Sequence, residues 1–416
     1  MNHIIEIIIF LLIAVSCSSG GKKKNIRSER ENVSKTNVAT SGGTLPVIKI
    51  RRPSGKLPAL KLSEIADDIR YIKLETHNDA LVGYCQVFRS DKSSCMFIYY
   101  GRQLYKFDAT GKYIKRIGQP GQGPSDFTPR HVAVDFERET IYVFPGSPST
   151  SGNYVLKLDF DGNIIEKTGN ELVFYPNRMA LLGGELIFLN DPLVMDTIWN
   201  KSLHMQLYLF NPDSNRISSY LPNFRFEDRK NIKFTGGLYH MGKITLAVGN
   251  DVAYYKFILN DTVYRIYNKE IKPFLIMDIE KNLSLEDYLG KTGSETLNRK
   301  LLIDDVRAFK NHLMFGVVFV KDSHNEEYET FLCLYDLVTG KLSYHDHMVL
   351  NDLDGGPNFG ALTSVFELPL LKNPDEQFRK FFLSGHDGLK VKFPEKKNEL
   401  KKLIDMSDEE DNPIIQ

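Results

Sequence analysis

Leu104-Tyr-Lys-Phe-Asp-Ala-Thr-Gly-Lys112 holds the end of a strand and the turn that reverses it. Tyr105 and Phe107 fall on one face of a pleated ribbon and Lys106 on the other, the period of two that belongs to an extended chain. Asp108 can bond its own downstream amides, and Gly111 can take the positive φ that side chains disfavour. The phrase recurs as Val155-Leu-Lys-Leu-Asp-Phe-Asp-Gly-Asn163, Leu207-Tyr-Leu-Phe-Asn-Pro-Asp-Ser-Asn215 and Leu332-Cys-Leu-Tyr-Asp-Leu-Val-Thr-Gly-Lys341. The turn-opening residues Asp108, Asp159 and Asn211 stand 51 and 52 residues apart, a period of β-propeller blades rather than helical solenoids.

Working outward, Met96–Tyr100, His131–Asp135, Thr140–Phe144, Glu185–Leu189, Lys243–Val248 and Leu313–Val320 read as further short strands bounded by turn formers. Dividing residues 63–395 by blades of roughly 50 to 60 residues gives about six. Asp336 follows Asn211 by 125 residues, which leaves room for one degenerate blade and an insertion. Ser284 to Asp305 is expected to supply that insertion as a short helical segment. The fold expected is all-β: a six-bladed β-propeller closed by an N-terminal strand, with a short helical insertion.

The apolar run Ile7 to Val15 is too short to span a bilayer and right for a signal-peptide core. It leads to Ala14-Val15-Ser16-Cys17, which resembles the bacterial lipobox; the alternative is a signal anchor with an incidental cysteine. Residues 1–16 are thus read as a lipoprotein signal peptide and 17–44 as a lipidated Cys17 and flexible tether. From Ser18 to Thr44 the chain is Ser, Gly, Lys, Asn and Thr with almost no large apolar residue, so no core forms there. Residues 45–416 are the propeller domain with a short C-terminal tail. The cell envelope follows, as an outer-membrane lipoprotein favouring the periplasmic side, with the membrane as one partner through the lipid.

Lys and Arg total 53 and so do Asp and Glu, so no net field gathers nucleic acid, and nucleic-acid binding is disfavoured. Besides Cys17 there are Cys85, Cys95 and Cys333, an odd number that excludes a disulfide framework. A Cys85–Cys95 bridge is left open, out of register with a turn at Asp91-Lys92. Cys333, amid apolar strand residues, is expected to be a buried side chain.

Tyr105-Lys-Phe-Asp-Ala-Thr-Gly-Lys-Tyr-Ile-Lys-Arg-Ile-Gly118 followed by Gly121-Gln-Gly-Pro-Ser-Asp-Phe127 is similar to an NHL-type propeller repeat with its Gly-Pro joining loop. With Leu62-Ser-Glu-Ile-Ala-Asp-Asp-Ile-Arg-Tyr-Ile-Lys-Leu-Glu-Thr76, Asn260-Asp-Thr-Val-Tyr-Arg-Ile266 and Asp411-Asn-Pro-Ile-Ile415, the chain resembles the bacterial six-bladed β-propeller lipoprotein family. That resemblance implies that Ile69 to Leu74 completes the last blade, and it implies no catalytic motif.

The chemistry-bearing patterns point mostly to structure. Gly118, Gly121 and Gly123, interrupted by Pro120 and Pro124, suit a connection between blades rather than a phosphate cradle. Asp352-Leu-Asp354-Gly-Gly lacks the remaining ligands of a calcium loop. His345 and His347 would share one face of a strand at zinc-ligand spacing, without a third ligand nearby. No catalytic residue and no cofactor is assigned, with a central calcium or zinc ion as the departure from that reading. Propeller ligands meet the ring where inner strands begin, so the binding candidates are Arg130, His131, Asn177, Arg178, Tyr239, His240, Asp304, Asp305 and Arg307, the last three read as preceding a strand after Phe309. Guanidinium groups converging there would grip a carboxylate, a phosphate or sugar hydroxyls. The function expected is non-catalytic binding of a protein, carbohydrate or small molecule through one face of the ring. The rival is a metal-dependent enzyme of lyase or lactonase type.

Overall fold

The computed structural model of the chain describes residues 44–83, 85–121, 123, 126–145, 154–169, 176–190, 205–222, 244–249, 251–257, 259–283, 297–309, 311–322, 327–356, 358–360, 390–407 and 411–415. The signal peptide, Cys17, nearly all of the tether, Tyr239, His240 and residues 284–296 lie outside the described residues.

Five antiparallel four-stranded meanders follow one another, each with its strands in chain order. The first sheet comprises 86–88, 95–100, 103–108 and 113–117, and the second 129–135, 140–145, 155–159 and 164–168. The third comprises 178–182, 185–189, 205–211 and 216–222. The fourth comprises 244–248, 253–257, 262–267 and 270–279, and the fifth 301–309, 312–322, 327–336 and 342–346. The protein is all-β with four-stranded antiparallel sheets of the kind that make propeller blades.

The repeated phrase builds the same turn each time. Asp108 Oδ1 accepts the amides of Thr110 (2.8 Å) and Lys112 (3.0 Å), and Asp159 Oδ1 those of Asp161 (2.9 Å) and Asn163 (2.8 Å). Asn211 Oδ1 accepts the Ser214 amide at 2.8 Å, and Asp336 Oδ1 those of Val338 (2.8 Å) and Thr339 (3.0 Å). In the second, third and fourth sheets the turn after the third strand also docks the sheet on the one before it. Asp161, in the last turn of the second sheet, pairs with Lys106 (3.2 Å) and Lys115 (3.3 Å) of the first. Asp213 of the third pairs with Lys157 (2.7 Å) and Arg138 (3.2 Å) of the second, and Lys269 of the fourth with Glu185 (2.9 Å) of the third.

In the first sheet the same turn rests on the N-terminal segment. Gly111 (φ +93°) lies so close that a Cβ there would stand 2.2 Å from the Lys73 carbonyl oxygen. A wrong φ and a backbone clash combine, so Gly111→Ala is expected to cost about 2–3 kcal/mol, read as a lowered urea midpoint at unchanged m value.

The cores form a succession in which each sheet packs on the next. Phe97 and Leu104 meet Ile141 and Leu158; Tyr142 and Phe144 meet Phe188 and Tyr208. Leu189 and Leu209 meet Tyr255 and Ile266, and Val263 and Leu275 meet Phe315 and Cys333. The outer face of the fifth sheet (Met314, Leu332, Leu334) packs on Leu60, Ile69, Tyr71, Val349 and Ile414. Leu74, Ala80 and Val82 in turn pack on Met96, Ile98, Tyr105 and Phe107 of the first. A fully buried Phe or Leu in these layers is worth about 1.5–3 kcal/mol relative to exposure.

The chain ends are stitched into this succession. Val47–Ile50 adds a parallel fifth strand along Ile276–Ile279, Leu60–Lys61 runs parallel to Val349–Leu350, and Ile72–Lys73 pairs antiparallel with Ile414–Ile415. The Asn412 side chain accepts the Val82 amide (2.9 Å) and donates to the Glu75 and Ala80 carbonyls (2.7 Å each).

Three expectations are corrected. Leu301–Asp305, expected as part of a helical insertion, belongs to the strand Leu301–Phe309, so Asp304, Asp305 and Arg307 lie within that strand rather than before one. A β-bulge between Ile303 and Asp305 is what lets consecutive polar residues sit in it. The α-helix among the described residues is Pro394–Asp405, where the sequence suggests only a short tail; Pro394 opens it and Leu400 and Ile404 bury one stripe. The strand expected over Ile69–Leu74 shortens to Ile72–Lys73. Cys85, Cys95 and Cys333 are buried and form no disulfide, and burial pushes the Cys333 thiol well up.

Candidate functional site

The two ends of the sheets are built differently. At one end the connections are tight turns of two to six residues: 89–94, 136–139, 183–184, 249–252 and 310–311 after first strands, and 109–112, 160–163, 212–215, 268–269 and 337–341 after third strands. The other end is where first strands begin and second strands pass to third ones, as at the two-residue turn 101–102. The first strands of the second to fifth sheets touch in succession, so these starts form an inner lining.

Four sequence candidates come together there. Arg130 and His131 open the strand Pro129–Asp135, and Asn177 and Arg178 stand at the start of Arg178–Leu182. The ladder slips between Pro129 and His131, and His131 Nε2 reaches the Pro176 carbonyl at 2.7 Å, tying the second sheet to the third. Burial pushes the His131 pKa down to about 4; the bond to Pro176 opposes this, and the nearby charges of Arg130 and Arg178 add to it. The imidazole is therefore neutral at pH 7, with Nε2–H donating to the Pro176 oxygen.

Two further groups complete the cluster. The Tyr99 hydroxyl donates to the Arg130 carbonyl at 2.8 Å, joining the first sheet to the second. Burial raises its pKa against the charges of Arg102 and Arg130. Arg102 sits in the short turn between second and third strands at φ +63°. Arg178 and Arg102 are exposed and Arg130 is half-buried; the charges of Arg130 and Arg178 bear on the neutral, backbone-anchored His131, and those of Arg102 and Arg130 on the Tyr99 hydroxyl. Guanidinium groups in such a set can donate in pairs to anionic or hydroxyl-rich groups.

The other candidates behave otherwise. Asp305 Oδ2 holds Arg307 Nε at 2.6 Å and Asp305 Oδ1 accepts the Val306 amide at 2.9 Å, so these two satisfy each other. His345 is buried, with Nε2 at 2.8 Å from Ser343 Oγ, while His347 lies beyond that strand, 2.6 Å from Asp346. Among the described residues no group of three or more His, Cys, Asp or Glu is placed to hold a metal ion. The Asp352–Asp354 stretch is a polar knot: Asp352 accepts the Ser63 amide (2.9 Å) and hydroxyl (2.6 Å), and buried Asp354 accepts from Tyr71, Asn351 and Gly356. The Gly-rich stretch joins the first and second sheets, with the Asp126 carboxylate accepting Gln119 Nε2 (2.9 Å) and the Gly123 amide (2.8 Å).

Sequence reading missed Lys256. Its ammonium is buried at the end of the strand Ala253–Phe257, donating to the carbonyls of Phe257 (2.7 Å) and Asn260. Burial lowers its pKa to about 7, with Asp261 pulling the other way. Its place inside Ala253-Tyr-Tyr-Lys-Phe was the available signal, a lone cation in an otherwise apolar strand.

A family model described as a domain of unknown function, DUF4934, matches residues 45–416, and the chain belongs to that family. In fold it is similar to a candidate exported protein from Bacteroides fragilis at a TM-score of 0.53 and 18% identity, covering 89% of this chain and 98% of that one. A member of the DUF4221 family from Bacteroides vulgatus aligns at a TM-score of 0.42 and 11% identity, over 67% of this chain and 86% of that one. None of the curated proteins matches.

Proposed function

We propose that this DUF4934 protein is a six-bladed, NHL-like β-propeller lipoprotein that binds an anionic ligand or partner through the mouth formed by Arg102, Arg130 and Arg178. The sixth blade is assembled from both ends of the chain: 60–61, 72–73, 348–350, 359–360 and 414–415. What supports closure is the cyclic order of the cores, in which the terminal segments pack on the fifth sheet and on the first. The apolar run before Cys17 and the fold shared with a candidate exported protein support an envelope location, with the lipid in the outer membrane and the ring on the periplasmic side. The strands of adjoining sheets hold the mouth residues in place for recognition.

The observation that carries the binding reading is the grouping of Arg130 and Arg178 about the neutral His131 at the starts of two adjoining first strands, with Arg102 and Arg130 both bearing on Tyr99 beside them. A neutral imidazole leaves the cluster's positive charge to the arginines at any pH above about 5, so anion affinity should stay flat from pH 6 to 9. Calorimetric titration of the full chain in detergent with trigalacturonate and with inorganic phosphate tests this. The expected result is salt-sensitive binding of one or both, weakened tenfold or more in the Arg130→Ala/Arg178→Ala double variant, as loss of charge-assisted bonds predicts. Equal affinity in the double variant, or no binding by the native chain, would overturn it. Stoichiometric metal surviving dialysis, with turnover, would favour a metal-dependent lyase or lactonase instead.

A further inference from the structure

The opposite face of the first sheet carries a second, differently composed cleft. Tyr99 points toward the second sheet, among Phe97 and Val132; Tyr105 points the other way, against Leu74, Ala80 and Val82. Gln103 and Tyr105 alternate onto this second face, Arg116 lies directly across from Tyr105, and Tyr113 pairs with Phe107 after a bulge. Facing them is the segment 75–82. Between the two lies a cleft of about 480 Å³ lined by Asn78, Asp79, Gln103, Tyr105, Tyr113 and Arg116, with Leu81 at its edge.

The cleft is pre-formed because both walls are fixed. Asn412 grips the 75–82 segment through Glu75, Ala80 and Val82, and the Thr76 hydroxyl donates to Asp411 at 2.7 Å. Glu75 accepts the Tyr113 amide at 2.8 Å, which pins that segment to the sheet. His77 stacks on Tyr113 at 4.5 Å and 26°, and Phe107 meets it edge-on at 5.6 Å. His77 is not among the lining residues, so Tyr113 is backed on one side and offered to the cleft on another. Rigid walls remove the ordering cost that a ligand would otherwise bear.

Its polar groups are uncommitted in a specific way. Tyr105 donates its hydroxyl to Gln103 Oε1, which leaves the Gln103 amide hydrogens for something else. Among the described residues, Arg116 and Asn78 make no side-chain hydrogen bond or ion pair. The Asp79 carboxylate lies 3.6 Å from His77 Nδ1 through one oxygen, which leaves its other oxygen to the cleft, and its charge and that of Arg116 cancel, so the cleft favours neither anion nor cation. It offers planar donors from Arg116, Gln103 and Asn78, a carboxylate acceptor in Asp79 and a tyrosine ring, within the size range of small-molecule sites. A ring with an apolar face and several hydroxyls satisfies all of these at once; a phosphate would leave the tyrosine idle and meet Asp79, and an aliphatic ligand would strand the donors.

We infer that this cleft between the first sheet and the 75–82 segment is a binding site for a neutral saccharide, whose C–H face lies on Tyr113 while its hydroxyls accept from Arg116, Gln103 and Asn78 and donate to Asp79. The site is independent of the arginine mouth. Saturation-transfer NMR and calorimetry on the full chain in detergent, with maltotriose, cellotriose, xylotriose, chitotriose and trigalacturonate, test it. One of the neutral trisaccharides is expected to bind with a dissociation constant of about 1 mM. Tyr113→Ala should weaken it tenfold or more and Arg116→Gln about fivefold, with Tyr113→Phe near native and the Arg130→Ala/Arg178→Ala variant unaffected. Thermal midpoints identify a variant that fails to fold, in which case Gln103→Ala takes its place. The inference is overturned if no neutral trisaccharide binds, if binding is indifferent to Arg116→Gln and Gln103→Ala, or if it is lost with the mouth arginines.

Discussion

Replacing Asp354 by Ala is expected to lower the unfolding free energy by about 3–5 kcal/mol, one of the largest single-residue effects in the molecule. The carboxylate has no exposure and accepts three bonds: from the Tyr71 hydroxyl at 2.5 Å, Asn351 Nδ2 at 2.6 Å and the Gly356 amide at 2.9 Å. Truncation strips the Tyr71 hydroxyl and the Gly356 amide of this acceptor and leaves Asn351 Nδ2 only the Tyr71 oxygen. Burial and the carboxylate together push the Tyr71 pKa far up, so the phenol stays a donor at any working pH. Tyr71 belongs to the N-terminal segment and Asp354 to the far end of the chain, so the loss also loosens the junction where the two ends meet. Urea unfolding measures it, with a double-mutant cycle against Tyr71→Phe. In that cycle Tyr71→Phe should cost less in the Asp354→Ala background than alone, because one orphaned donor is then removed. A loss under 1 kcal/mol for Asp354→Ala would show that water reaches the knot.

Lys256→Met should abolish a pH dependence of stability expected of the native chain. The folded pKa of Lys256 is about 7, below its ordinary 10.5, so between those values the unfolded chain holds a proton that the folded chain does not. Stability therefore rises with pH across that window, is complete above about 10.5, and is lost as pH falls through 7. The rise approaches roughly 1.4 kcal/mol per pH unit and sums to a few kcal/mol. Met matches the stem in volume and cannot titrate, so the native-minus-variant difference should grow with pH from 7 to 10. At pH 7 the variant should lie within about 2 kcal/mol of native, because the two carbonyls that lose a donor offset the charge no longer buried. Urea midpoints at pH 7, 8, 9 and 10 decide it, and a constant difference across that series would refute the assignment.

Much of the fold was legible because its code is local. Asp108, Asp159, Asn211 and Asp336 each announce a turn within five residues, and each makes that turn through its own side-chain oxygen. The helix at Pro394–Asp405 was not legible: in Pro-Glu-Lys-Lys-Asn-Glu-Leu-Lys-Lys-Leu-Ile-Asp the apolar positions cluster in the second half. Their burial comes from Leu60, Leu62 and Ile69, more than 300 residues earlier in the chain. Arg130, His131, Asn177 and Arg178 could be picked out because each directly precedes an apolar β run. Tyr99 and Arg102 could not, since what recruits them is a hydroxyl reaching across sheets and a turn at positive φ. Asp304 and Asp305 misled because a bulge, invisible in composition, lets a strand carry adjacent carboxylates.

The pairing of Ile72–Lys73 with Ile414–Ile415 imposes a chronology on biosynthesis. Each four-stranded meander can zip up from residues within about 50 positions of one another, as soon as they emerge. The seam cannot: its two threads lie more than 340 residues apart, the widest separation of any pairing among the described residues, and until they meet each leaves a sheet margin bare and open to pairing elsewhere.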